Sequence, residues 1–117
     1  MMTPEEEMEL VLHAIRETAS GYLIWDEEEA QRVHRELGSE GLAPEAIRVI
    51  LQKFVRGGGE IETRDEQRPQ WMQHRDRWYL AIIPMKMFVN GLFVEFWLSN
   101  RDRKAPIVEI VNAHSQR

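Results

Sequence analysis

The centre of the fold is predicted by an Asn-Gly pair between two apolar runs, in the stretch MKMFVNGLFVEFW at residues 85–97. Asn90 and Gly91 both tolerate the positive φ that the type I′ turn of a two-residue β-hairpin requires. Such a turn places Lys86 opposite Glu95, and opposite charges facing each other favour that register. The stretch therefore predicts a central hairpin with a fixed strand register.

Side chains alternate between the two faces of a strand, which divides this hairpin into two faces. One face is entirely apolar and is expected to pack against helices; its members are Met85, Met87, Val89, Leu92, Val94, Phe96 and Leu98. The other face carries two charged side chains among large apolar ones. Its apolar members are Phe88, Phe93 and Trp97, with Ile107 expected beside them from a later strand.

Further strands are predicted on both sides of the hairpin. Residues 78–83 extend its first strand, and Pro84 predicts an edge, bend or bulge where it interrupts the run. Residues 60–63 can form a short strand, and residues 107–111 form the last one. The second half of the chain is therefore expected to form an antiparallel sheet.

The first half reads as helix. Thr3, Asp26 and Pro44 each stand where a helix is expected to begin, as N-cap or first-turn residues. Residues 57–59 are three glycines that end the third helix, whereas residues 22–25 form either a brief strand or the entry to the second helix. The expected fold is a single α+β domain over residues 1–117, with about three N-terminal helices packed on a three- to four-stranded antiparallel sheet that has a central Asn-Gly hairpin.

The composition and charge of the chain exclude several classes of site and location. The chain has 117 residues and no cysteine, which excludes disulfides, thiolate metal sites and cysteine nucleophiles. No apolar run reaches the length of a membrane span, and the acidic N-terminal stretch does not resemble a signal peptide, so a cytoplasmic location is expected. The histidine spacings predict no metal site, and no cofactor motif is present. A net charge of −5 does not favour nucleic acid as a partner.

One group of side chains suggests chemistry. His74, Arg75, Arg77 and Tyr79 lie close together in the sequence. Metal-free ribonucleases use such residue types, because imidazole moves protons and guanidinium stabilises the charge that develops on phosphorus. These four residues are the candidate catalytic group.

The arrangement also resembles a known group of proteins. Helices followed by glycine and an antiparallel sheet bearing Arg, His and Tyr look like the small RelE-like and barnase-like ribonuclease toxins. The resemblance is carried by Val33–Glu36, Pro44–Ile47 and Gly59–Glu62, and it covers residues 30–113. It implies a related fold and a metal-independent endoribonuclease activity. Members that act on ribosome-bound RNA are strongly basic, whereas this chain is acidic.

Three functions follow as hypotheses. In the first, the chain is a self-associating interaction module, a homodimer or a binder of another protein, that uses Phe88, Phe93, Trp97 and Ile107. Residues 22–25 would be the alternative cover for that apolar face. In the second, the chain is the ribonuclease just described. In the third, it is an acidic inhibitor of a basic partner, which it binds through residues 5–9 and 26–29.

Overall fold

The helices begin at residues whose side chains or rings favour a helix N-terminus. In the computed structural model, which describes residues 2–17, 21–65 and 77–115, α1 spans Pro4–Arg16, α2 spans Glu27–Leu37 and α3 spans Pro44–Arg56. A short 3₁₀ turn, Gly38–Glu40, separates α2 from α3. The Thr3 hydroxyl accepts a hydrogen bond from the Glu6 backbone, and the Asp26 carboxylate accepts one from the Glu29 backbone. Both side chains therefore satisfy helix N–H groups that have no partner within the helix.

The strands form one mixed sheet of five within the described residues. They are β1 (Leu23–Trp25), β2 (Glu62–Asp65), β3 (Arg77–Met85), β4 (Phe88–Asn100) and β5 (Ile107–Ser115), in the order β1-β5-β4-β3-β2. The fold is α+β, but the predicted sheet of three to four antiparallel strands is wrong, because β1 adds a strand parallel to β5. The three residues of β1 carry no periodic signal, and their partner lies far away in the sequence.

The hairpin register also differs from the predicted one. Ile83 lies opposite Leu92 and Met85 opposite Phe88, with an irregularity between the two pairs. Lys86 therefore lies in the β3–β4 turn, and Glu95 lies opposite Leu80.

Gly91 lies at this irregularity and has φ +87°, whereas no described residue other than glycine has a positive φ. A Cβ at Gly91 would lie 2.8 Å from the Ile83 carbonyl oxygen, so glycine is required for the close approach of the strands. Pro84 has no N–H to donate, which favours a break in the ladder at the same place.

This irregularity changes which side chains share a face. After it, Leu92, Val94, Phe96 and Leu98 are buried, as predicted. Before it, Met87 is 53% exposed and Val89 is 98% exposed, so their assignment to the core is wrong. The simple alternation assumed for the whole stretch does not continue across the irregularity.

All three described helices cover the same face of the sheet. Val11, Val33 and Leu51, one from each helix, belong to a single core cluster. The sheet contributes its alternate residues to that cluster: Leu23, Tyr79, Ala81, Ile83, Leu92, Val94, Phe96, Leu98, Val108, Ile110 and Ala113. Among the described residues, no helix has the length and apolar composition that a membrane crossing needs.

Candidate functional site: the outer face of the sheet

We call the side of the sheet opposite the helices the outer face. Its members alternate with the core residues along β3, β4 and β5, and the strand register places them side by side. Ile82 lies opposite Phe93, which in turn lies opposite His114, and Trp97 lies opposite Glu109. The outer face comprises Trp78, Leu80, Ile82, Phe93, Glu95, Trp97, Ile107, Glu109 and His114.

Several large apolar side chains on this face retain contact with solvent, whereas Leu80 is buried. Ile82 is 38% exposed, and Phe93, Trp97 and Ile107 are half-buried. Three of the four predicted interface residues are therefore on the outer face. Phe88 is not, since it packs against the core cluster on the helix side. The predicted alternation failed for Phe88 because this residue precedes the irregularity at Gly91.

Residues 22–25 do not cover the outer face. Leu23 belongs to the core cluster, and the Trp25 indole donates a hydrogen bond of 3.0 Å to the Pro44 carbonyl. Ile24 lies between them along β1 and is part-exposed. The segment therefore extends the sheet as an edge strand.

The polar groups of the outer face have partners on the same face. The Trp97 indole donates to a Glu109 carboxylate oxygen over 2.8 Å. His114 Nε2 lies 3.8 Å from Glu95 Oε1, and its ring stacks on Phe93 with centroids 5.5 Å apart. Glu109 therefore has a hydrogen-bond donor on the same face, and Glu95 has a histidine neighbour that is charged only if protonated.

Two of the predicted catalytic residues contact a buried carboxylate, that of Glu7. The Tyr79 hydroxyl donates to Glu7 Oε1 over 2.7 Å, and Arg77 Nη1 donates to Glu7 Oε2 over 3.2 Å. Tyr79 is fully buried, and its burial together with the bond to Glu7 raises its pKa well above the usual range. These contacts connect α1 to β3. His74 and Arg75 lie outside the described residues.

Sequence reasoning missed Glu7. It occupies the position one turn before Leu10 and Val11 on the buried stripe of α1, and it is itself buried. A glutamate at the spacing of a core stripe signals a buried carboxylate that needs donors. Arg101 adds an ion pair, with Nη2 3.6 Å from Glu7 Oε2.

An open apolar groove lies outside the outer face. It has a volume of about 560 Å³ between the end of α3 and the Pro84 bend, and Ile50, Phe54 and Ile83 are among its lining residues. Within residues 2–17, 21–65 and 77–115, no three carboxylate or imidazole groups converge where they could bind a metal ion.

Comparison with protein-family models, with curated proteins and with solved structures gave no match. The resemblance to ribonuclease toxins therefore stays a prediction, and any functional proposal depends on the geometry.

Proposed function

We propose that this chain is an interaction module that self-associates, with the outer face of one copy packed on the outer face of a second. One observation carries the proposal. All three described helices pack on the inner face, while Ile82, Phe93 and Trp97 retain exposed apolar surface on the other. Exposed apolar patches with polar groups beside them are typical of protein interfaces.

The energetic reason is the apolar surface that the face leaves in water. Full burial of a side chain of the size of Phe or Ile is worth roughly 1.5–3 kcal/mol. Ile82, Phe93 and Trp97 are partly buried already, so each gains a fraction of that amount from a second copy. Several such gains are needed to offset the lost freedom of two associating molecules.

The area is sufficient for a small stable interface. β3 and β5 have 9 residues each and β4 has 13. With about 3.3 Å per residue and about 4.8 Å between strands, these three strands cover roughly 500 Å² in projection. Two copies face to face would remove at least about 1,000 Å² from water, which is the lower end for a specific interface.

The outer face carries few of the acidic residues of the chain. Most acidic residues of the chain lie in residues 1–55, whose helices pack on the inner face. On the outer face Glu109 accepts a hydrogen bond from the neutral Trp97 indole, and Glu95 lies near His114, which is charged only if protonated. A two-fold axis places the apolar residues of this patch against themselves.

Sedimentation at micromolar concentration tests the proposal. The unaltered protein should have twice the 13.8 kDa mass of one chain. Phe93→Glu should reduce the mass to that of one chain while the far-ultraviolet circular dichroism stays unchanged. The control is Val49→Glu, since Val49 is 36% exposed on α3, on the opposite side of the molecule.

Two results would overturn the proposal. The first is a single-chain mass for the unaltered protein throughout the concentration range. The second is a Phe93→Glu variant that unfolds while Ile82→Glu keeps the mass of the unaltered protein, because Phe93 would then be needed for the fold and not for association.

A further inference from the structure

The backbone groups along the edge of β5 that faces β1 have two kinds of hydrogen-bonding partner, main chain and side chain. Along Val108–Ile110, the edge pairs with the main chain around β1: Val108 N donates to the Tyr22 carbonyl, and Asp26 N donates to the Ile110 carbonyl, both over 2.8 Å. β1 then ends and α2 begins, while β5 continues to Ser115. The last part of β5 therefore has an edge that no strand among the described residues covers.

Two side chains of α2 take the place of the missing strand. Ala113 N donates to Glu29 Oε2 over 3.0 Å, and Arg32 Nη2 donates to the Ala113 carbonyl over 2.7 Å. A neighbouring strand would offer Ala113 the same pair, one acceptor and one donor. We call Glu29 and Arg32 the edge clamp.

The edge clamp is held in place before any partner arrives. Arg32 Nε donates to Glu29 Oε1 over 2.8 Å, and Arg32 also pairs with Glu36 on the next turn. The helix that carries both residues is anchored through Val33 and Leu37 in the core. Both clamp side chains are largely withdrawn from solvent, so their geometry is fixed by packing as well as by charge.

We propose that the edge clamp closes a latent interaction surface whose fitting partner is the same β5 edge of a second copy. In an antiparallel pair, two opposite residues can exchange both of their backbone hydrogen bonds. Because the N–H and the C=O of Ala113 both point out of the edge, Ala113 of two copies can form such a pair across a two-fold axis. The clamp satisfies both groups within one chain and so prevents edge-to-edge pairing.

The consequence is a closed assembly. A chain with one self-complementary surface forms a dimer, whereas two such surfaces allow a larger assembly, which is closed where the two-fold axes intersect and open where they do not. The clamp is independent of the proposed outer-face dimer, but it would keep that dimer from growing.

The test is Glu29→Ala/Arg32→Ala, made both in the unaltered chain and in the Phe93→Glu variant. The matched control is Glu45→Ala/Arg48→Ala, because Arg48 Nε donates to Glu45 Oε2 over 3.0 Å at the same sequence spacing but on the exposed surface of α3. In the unaltered chain, sedimentation should show species above twice the single-chain mass that grow with concentration. In the Phe93→Glu variant, growth should stop at twice that mass, and the control should leave the mass unchanged in both.

Hydrogen exchange at the Ala113 amide gives a second readout. It should be protected in the unaltered protein, and removal of the clamp in the Phe93→Glu variant at high dilution should accelerate exchange about tenfold. An unprotected Ala113 amide in the unaltered protein would overturn the proposal, even if the double variant does not fold. A folded double variant that keeps the mass of its parent would also overturn it. If the unaltered chain is monomeric, the outer-face proposal fails, and the clamp variant should still dimerise.

Discussion

Two phenylalanines on β4, three residues apart, show how differently the sheet uses its two faces. Phe96 is fully buried under the helices and stacks with Tyr79, with ring centroids 6.0 Å apart. Phe93 is half-buried on the outer face and stacks with His114 instead. The residue type and the strand are the same, so the difference comes from which face the helices cover. Whether an aromatic side chain of a strand is buried therefore depends on which face of the sheet the helices cover, and not on the hydrophobicity of the side chain alone.

The largest expected effect contrasts these two residues directly. Phe96→Ala should lower the free energy of unfolding by about 3–5 kcal/mol, since it leaves a cavity in a packed core. Phe93→Ala should cost about 1 kcal/mol in the isolated chain, because much of its surface is in water already. Urea unfolding at a concentration where both variants are monomeric compares them. Equal losses would show that the outer face is as tightly packed as the inner one.

A smaller effect is expected where the alternation of the two faces changes. Gly91→Ala should cost about 2–3 kcal/mol, because its positive φ and its approach to the Ile83 carbonyl both oppose a side chain. Gly58→Ala is the control, since Gly58 has φ +88° but no atom within 4 Å of an added Cβ. It should cost only about 1 kcal/mol. Thermal unfolding measures both, and equal costs would mean that contact with β3 at Gly91 does not matter.

The inner face also depends on the bond between Tyr79 and Glu7. Tyr79→Phe should cost about 1–2 kcal/mol at pH 8, since it removes one donor from a buried carboxylate. The raised pKa of Tyr79 adds a pH dependence. In the unfolded chain a tyrosine ionises near pH 10, so the contribution is fully present below about pH 10 and is lost as the pH rises toward the folded-state pKa.

The pH dependence separates Tyr79 from other groups that titrate in alkali. Urea midpoints of the unaltered protein and of Tyr79→Phe should stay apart up to about pH 10 and converge as the pH rises above it. A difference between the two urea midpoints that stays constant as the pH rises above about 10 would contradict this prediction. The pKa of the Tyr79 hydroxyl would then be the same in the folded and unfolded chain.

The smallest effect on stability is expected on the outer face itself. Ile82→Glu and Val49→Glu replace side chains of similar exposure, 38% and 36%. Each should change the free energy of unfolding of the monomer by no more than about 0.5 kcal/mol. If the outer face is the interface, only Ile82→Glu should halve the mass in sedimentation. If both variants have the same mass, the outer face behaves like the ordinary surface around Val49 and is not the interface.

Local signals predicted much of this fold. The helix starts at Thr3, Asp26 and Pro44 are visible in the sequence because capping chemistry and proline act on neighbouring residues. The residues after Gly91 follow the simple alternation of a strand. What the sequence could not show depends on distant partners: β1 pairs with β5, and the Asn-Gly pair fits a bulge as well as a turn.

The sequence also predicted part of the candidate site. Phe93, Trp97 and Ile107 were identified from alternation alone. Their polar neighbour His114 lies beyond the irregularity in β5, so alternation from Ile107 does not lead to it. Glu109, two residues after Ile107, does follow that alternation. Arg77 and Tyr79 were noticed as unusual, but their partner Glu7 lies 70 and 72 residues away.

The position of β5 between β1 and β4 has a consequence for synthesis on the ribosome. The helices and β1 leave the ribosome first, yet the strand that joins β1 to the rest of the sheet comes last in the order of elements. Until residues 107–115 have emerged, α1 and α2 lack the strand against which both of them pack. The apolar stripes of α1 and α2 lack part of their cover until then, and β1 joins the sheet only after the other described elements have been made. The pairing of β1 with β5 is thus a long-range contact of the kind that slows folding.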